Sequence, residues 1–267
     1  MSDRISVSIN EGVADVRLIR TDKMNALDDA MFNALIDTAE ALNANKDVRC
    51  VVLSGEGRAF CAGLDMGNFG RMASGGGSGV SRGRLAERTH GMTNRAQQAV
   101  WGWRQLRVPV IAAVHGVALG GGFQVMLGAD IRITHPETKL SILEIKWGLV
   151  PDMGSTAIMR QLVREDIVRE LTYTGRMFSG TEAHAYGFTT HVSETPLEDA
   201  LALAREIAGK SPTAIQTAKA LYNALPDRDD AEALLAESEQ QDELIGSENQ
   251  VEAVKSALEK RAPAFVD

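Results

Sequence analysis

The stretch that most constrains this chain runs from residue 110 to 127. The apolar run Val110-Ile111-Ala112-Ala113-Val114 passes through His115 and Gly116 to Leu119-Gly120-Gly121-Gly122, then into the apolar segment Phe123-Gln124-Val125-Met126-Leu127. A short, continuous apolar run bounded by glycine reads as a strand buried on both faces, the kind found in parallel sheets. The glycines then open a helix whose first N–H groups have no partner within it. A second run, Val48 to Leu53, ends at Gly55 and Gly57 and leads to Phe60-Cys61-Ala62-Gly63-Leu64-Asp65. Both turns can present a backbone N–H at a strand end. Glycine lets another group approach that backbone without a β-carbon in the way. Two convergent N–H donors form an oxyanion hole, each worth about 3 kcal/mol when negative charge develops on a bound oxygen. Tight packing of strand against helix is the plainer account of the same glycines, and spacing alone leaves both open.

The rest of the chain supports an α/β arrangement. Residues 5–20 alternate apolar and polar in the strand manner around Gly12. Asn25 or Asp28 starts a helix with Met31, Leu35, Ile36, Ala39 and Leu42 on one face, and the strand at 48–53 follows. Strand, helix, strand makes a βαβ-like unit. Ser74-Gly75-Gly76-Gly77-Ser78-Gly79 reads as a flexible surface loop, with a lid over a site as the alternative. A helix is expected over roughly 84–106, ending before Pro109, and strands at 131–133 and 140–142. Beyond residue 179 the pattern is mostly helical, with capping boxes at Ser179/Glu182 and Ser247/Gln250 and an N-cap at Ser211 before Pro212. The acidic region 230–261 reads as a solvated helical face, with packing on a partner subunit second.

Composition excludes several classes. A chain of 267 residues buries about three quarters of its unfolded surface and needs no disulfide or metal staple. Its net charge of −8 comes without a basic stripe, which argues against nucleic acid. The run from 108 to 129 is broken by Pro109, His115, Gln124 and glycines, so it is no membrane span. Cys50 and Cys61 are too few for a disulfide framework and read as buried thiols in a reducing compartment. Residues 1–10 lack the order of a secretory leader, so a cytoplasmic location is expected. The five histidines are scattered, and no zinc, P-loop, dinucleotide or nucleophile-elbow motif occurs, so no metal is expected.

Five stretches together resemble the crotonase superfamily, the enoyl-CoA hydratase/isomerase group, over nearly the whole chain. They are Asp22 to Leu27, Arg58 to Asp65, Pro109 to Gly122, Glu144 to Thr156 and Lys260 to Phe265. The resemblance implies an α/β spiral of ββα units over 1–195. It implies a helical oligomerisation region over 196–267, and assembly as a trimer or a dimer of trimers. It also implies an acyl-CoA thioester as ligand, with coenzyme A part of the substrate and no separate cofactor. Carried over by position, the oxyanion donors are the N–H groups of Leu64 and Gly121. Ala26, Ala62, Asp65 and Met66 fall where the family holds the adenine and pantetheine end.

A hydratase of this family uses two glutamates, and here the first position is Gln124. An amide does not titrate, so it cannot be the general acid or base. The second position is Glu144, a carboxylate, and eight residues on stands Asp152. Carboxylates at both positions resemble the dienoyl-CoA isomerase branch, where one removes a proton and the other returns one. That branch commonly has aspartate at the Gln124 position, so Gln124 is expected to orient a group or a water beside the substrate. The plainer readings are an N-cap for Asp152 and a surface carboxylate for Glu144. Burial beside Ile142, Ile145 and Trp147 would raise the Glu144 pKa toward neutrality. The expected activity is therefore double-bond isomerisation of an enoyl- or dienoyl-CoA. The alternatives are an enoyl-CoA hydratase of fatty-acid oxidation, a lyase-type enolate reaction and a non-catalytic acyl-CoA binding protein.

Overall fold

The computed structural model describes residues 3–73 and 84–267; the glycine-rich segment 74–79 lies outside them. In chain order the elements are β1 (Ile5–Asn10), β2 (Val13–Leu18), α1 (Asp29–Ala44), β3 (Cys50–Gly55), α2 (Met66–Ala73), α3 (Arg95–Gln105), β4 (Val110–Val114), β5 (Val117–Leu119), α4 (Gly121–Leu127), β6 (Ile131–Thr134) and β7 (Lys139–Ser141). Then come α5 (Ser155–Leu162), α6 (Glu165–Thr174), α7 (Gly180–Tyr186), β8 (His191–Val192), α8 (Pro196–Ala208), α9 (Pro212–Ala224), α10 (Asp230–Leu244) and α11 (Glu248–Glu259).

One sheet has the order β1-β2-β3-β4-β6-β8, and only its β1–β2 hairpin is antiparallel. A second, smaller layer contains β5 paired with β7, extended by single bridges Leu27–Leu64, Cys61–Ala118 and Leu140–Phe178. Each turn of the chain therefore lays one strand in the large sheet and returns through the small layer. This repetition builds a spiral. The residues of β3 alternate between two cores. Val51 and Leu53 face the larger one with Phe60, Phe123 and Trp103, whereas Cys50 and Val52 face a smaller one closed by α8. Both faces are covered, which is why this strand and β4 read as unbroken apolar runs.

The helix α8 approaches the sheet through Ala200, Ala204 and Ala208, one face at four-residue spacing. The first helix of the 196–267 region thus packs with the core, and the more exposed helices are those after it. Leu234, Leu235, Ile245, Val254 and Leu258 of the α10–α11 region stand exposed.

The start of α1 is set by Asp28, whose side chain accepts the Met31 N–H at 2.8 Å. Asn25 is instead buried, with its amide donating to the carbonyls of Glu56 and Ala59. Asp28 also pairs with Arg4 at 2.8 Å and Arg20 at 3.5 Å. Burial pushes its carboxyl upward, but the Arg4 hydrogen bond, the Met31 N–H and the Arg20 charge outweigh that and hold it below the usual carboxylate range. Asp28→Ala is expected to cost about 1–2 kcal/mol in urea denaturation at neutral pH. A lowered pKa contributes stability above the unfolded value of about 3.9 and loses it as pH falls through the folded one, so the difference should shrink in acid.

The helix expected over 84–106 is shorter. Residues 84–94 form turns in which the Arg88 guanidinium donates to the carbonyls of Leu85, Ala86 and Met92. The helix begins after Asn94, whose side chain and that of Gln97 exchange hydrogen bonds with each other's backbone N–H. Ser179 and Glu182 form the same box, and Ser211 caps α9. At Ser247 only half of the expected box forms, because the Gln250 side chain accepts from Gly246 N–H instead.

Candidate active site

The small layer brings the two glycine turns together. Cys61 N–H donates to Val117 O, and Leu119 N–H donates back to Cys61 O. On the other side, Leu27 N–H donates to Gly63 O and Asp65 N–H to Leu27 O. Bonds to residues 63 and 65 leave the Leu64 N–H facing away from Leu27. Gly121 is the first residue of α4, where helix geometry leaves N–H groups free. Neither the Leu64 nor the Gly121 N–H donates a hydrogen bond among the described residues. A β-carbon on Gly121 would stand 4.0 Å from the Leu64 nitrogen, so the two amides are neighbours.

Two glycines make this approach possible. Gly63 has φ +90°, and a β-carbon there would meet Leu119 O at 2.4 Å. At Gly122 it would meet Cys61 O at 2.2 Å. Both Cys61 and Cys50 are free, fully buried thiols, raised by burial to about 12.

The turns open on a cavity of about 580 Å³ that Leu64, Gly121, Gln124, Glu144 and Asp152 line together. Glu144 begins a single 3-10 turn and is only 8% exposed. Its Oε1 accepts from Gln124 Nε2 at 2.6 Å, while its Oε2 is sealed and has no partner among the described residues. The amide orientation of Gln124 follows from its other contacts. Its Oε1 accepts from Met153 N–H at 2.9 Å and from the Ser155 hydroxyl at 2.7 Å. A backbone N–H can only donate, so the NH₂ must face Glu144. Burial raises the Glu144 pKa, the negative field of Asp152 adds to the rise, and the Gln124 hydrogen bond opposes it. The apolar surroundings differ from expectation: Ile142 is buried, but Ile145 and Trp147 are 43% and 39% exposed. Glu144 is enclosed instead from the glycine side, where a β-carbon on Gly120 would lie 3.4 Å from its Oε1.

Asp152 does not cap a helix. The N-cap of α5 is Gly154, which has no side chain to offer. Asp152 remains open to solvent on the cavity wall, yet it sits deep enough among protein atoms that desolvation raises its pKa. A buried carboxyl and a second raised carboxyl facing one cavity are suited to taking and returning protons.

The remaining residues named from sequence also line this cavity: Ala26, Ala62, Asp65 and Met66. The Asp65 carboxylate is committed to Arg20 at 2.7 Å and to Gly67 N–H at 2.8 Å. Burial pushes it upward, but these two partners hold it below the usual carboxylate range. Sequence reasoning did not single out Lys23, an exposed cation on the cavity wall, or the apolar wall of Phe32, Leu119, Leu143 and Met153. Lys23 lies within the Asp22 to Leu27 stretch, where the resemblance assigns a binding role to Ala26 alone, and the apolar wall is assembled from distant parts of the chain. Among the described residues no cluster of three or more His, Cys, Asp or Glu could hold a metal, and no helix is long and apolar enough to cross a membrane.

Residues 8–267 match the family model described as enoyl-CoA hydratase/isomerase. The chain belongs to this family. Within it, the peroxisomal Δ(3,5)-Δ(2,4)-dienoyl-CoA isomerase of Arabidopsis thaliana is 31% identical over 92% of this chain and 90% of its own. The mitochondrial methylglutaconyl-CoA hydratase of mouse is 29% identical, covering 96% of this chain and 80% of its own. The crystal structure of an enoyl-CoA hydratase from Bacillus anthracis is 27% identical, with a TM-score of 0.87 over 98% of this chain and 99% of that one. The fold is accordingly the crotonase fold of the enoyl-CoA hydratase/isomerase family, and acyl-CoA thioesters are the substrate class that fits.

Proposed function

We propose that this family member isomerises double bonds of an enoyl- or dienoyl-CoA. In this reading the thioester oxygen rests between the Leu64 and Gly121 amides, which stabilise it as an enolate forms. Glu144 and Asp152 face the acyl segment; one removes a proton and the other returns one. Ala26, Ala62, Asp65 and Met66 border the coenzyme A end. Coenzyme A arrives as part of the substrate, and the chemistry calls for no further cofactor. The observation that carries the reading is the contact of Gln124 with Glu144. An amide fixed by three hydrogen bonds occupies the place of a hydratase's first glutamate, and the other acids on the cavity wall are Asp22, Asp65, which is tied to Arg20, and Asp152, whose pKa burial raises. The dienoyl-CoA isomerase relative supports the same reading.

The hydratase relative favours a second one, in which Glu144 alone manages a water. Incubating a 2-enoyl-CoA in ¹⁸O-labelled water, beside a 3,5-dienoyl-CoA followed by its absorbance, separates the two. Isomerisation without labelled 3-hydroxyacyl-CoA is expected; rapid labelled product would overturn the isomerase assignment. A non-catalytic carrier would turn over neither substrate.

Gln124→Ala provides a test of the contact itself. It removes the bond that favours ionised Glu144, so the acid limb of kcat/KM should move to higher pH. It also strands Met153 N–H and the Ser155 hydroxyl, and should cost about 1–3 kcal/mol in denaturation.

The exposed apolar residues of α10 and α11 support a trimer or dimer of trimers, for which sedimentation is the check. The names of the two relatives read peroxisomal and mitochondrial and lend no support to a cytoplasmic placement.

A further inference from the structure

A second cavity, of about 390 Å³, lies at the opposite end of the parallel strands. Pro109, just before β4, and Asp130, just before β6, lie on its wall, whereas the active-site turns follow the strands. Its remaining charged walls are Arg104, Arg132 and Lys219, so three cations meet one carboxylate in a chain whose net charge is −8.

The carboxylate is already engaged. Asp130 Oδ2 accepts from Lys219 Nζ at 2.8 Å and from Val110 N–H at 2.7 Å, and Lys219 donates also to Val108 O. Arg132 is different. It is 5% exposed, and its guanidinium donates only to two carbonyls, Phe188 O at 2.6 Å and Ala129 O at 2.5 Å. It forms no ion pair among the described residues. Its Nη2 donates to nothing there either, and Arg132 lines the cavity. Burial lowers the Arg132 pKa to about 10, with Asp130 opposing and Arg104 adding to the fall. A buried cation bonded only to dipoles, with the one carboxylate of the cavity hydrogen-bonded to Lys219 and Val110 instead, is under-compensated. An anion contributed by a ligand would balance it with charge-assisted hydrogen bonds. Ile131, Leu162, Ile207, Ile215 and Ala218 make one side of the wall apolar, with Tyr222 and Asn223 beside them, and the volume exceeds what a bare anion fills.

We propose that this second cavity binds a carboxylate carrying a short apolar chain, its head on the Nη2 of Arg132 and its tail along the Ile207–Ile215 wall. Nothing in the proposed isomerase reading requires this site, and its test stands apart from activity.

The test uses the full chain and hexanoate as probe, at fixed ionic strength, by thermal unfolding and by the carbon-13 signal of carboxyl-labelled hexanoate. The active-site cavity is blocked with a saturating thioether analogue of acyl-CoA. Hexanoate is expected to raise Tm by a few degrees, while hexanol, acetate and inorganic phosphate each fall well short. Arg132→Met should abolish the shift. Since that variant strands two carbonyls and can fail to fold, Ala218→Phe serves as the second. It fills the cavity, keeps Arg132 and should also abolish the shift. A hexanoate effect that survives Ala218→Phe, an equal effect from hexanol, the whole effect from phosphate, or no effect on the unmodified chain would each overturn the proposal.

Discussion

Replacing Glu144 with glutamine is expected to lower kcat for 3,5-dienoyl-CoA by about 10²- to 10⁴-fold, the usual worth of a positioned general base. The substitution keeps shape. A glutamine carbonyl at position 144 can still accept from Gln124 Nε2, and its NH₂ would occupy the place of an oxygen that already lacks a partner. The fold should therefore persist, with an unchanged circular dichroism spectrum. KM should change little, because in the proposed mechanism the thioester is held by main-chain amides rather than by Glu144. A fall in kcat and kcat/KM together would mark an interaction made in the transition state. The pH profile supplies a second readout. Glu144 must be ionised to accept a proton, and burial raises its pKa, so the acid limb of kcat/KM should lie above the ordinary glutamate value of about 4.3. That limb should disappear in the variant. Retained turnover with the limb in place would remove Glu144 from the mechanism.

The second large effect is expected at Gly121. An alanine there would place its β-carbon 2.8 Å from Leu27 Cδ1 and 3.0 Å from Met153 Sδ, the ends of two flexible side chains. These can yield, so the chain should fold. The same β-carbon would stand 4.0 Å from the Leu64 nitrogen, crowding the space between the two donors. Impaired access to an oxyanion hole should lower kcat by about 10²- to 10³-fold. Gly122→Ala is the contrast, since its β-carbon would meet the backbone oxygen of Cys61 at 2.2 Å and no rotamer relieves that. Thermal unfolding should show little change for Gly121→Ala and a large loss for Gly122→Ala. If Gly121→Ala keeps full turnover, the paired amides are not the oxygen's binding site.

What could be read in advance was what is local. The strand 110–114 and its glycine turn were legible because burial on both faces leaves a continuous apolar signature, and because a free N–H at a helix start follows from geometry alone. The helix expected over 84–106 starts only after Asn94, where the Asn94–Gln97 capping box, itself a local feature of the sequence, sets its first turn. Two features had no local signal. Gln124 reaches Met153 and Ser155 across about thirty residues, and its hold on Glu144 spans twenty. Which side of Glu144 is enclosed depended on the Gly120 turn rather than on its own neighbours Ile145 and Trp147. That is a property of how the layers stack, which no window of sequence contains.

The clamp on Gln124 also bears on how such a cavity changes trade over evolutionary time. The Met153 amide and the Ser155 hydroxyl already point at one side-chain oxygen. A glutamate introduced at position 124 would find these two donors for one oxygen, while its other oxygen would meet Glu144 Oε1 at hydrogen-bond distance, so the two carboxyls would share a proton. A single exchange of amide for acid would thus restore a pair of glutamates facing one cavity. In the proposed reading, that exchange alone would carry the cavity from moving a double bond toward adding water across it while the framework beneath stays still.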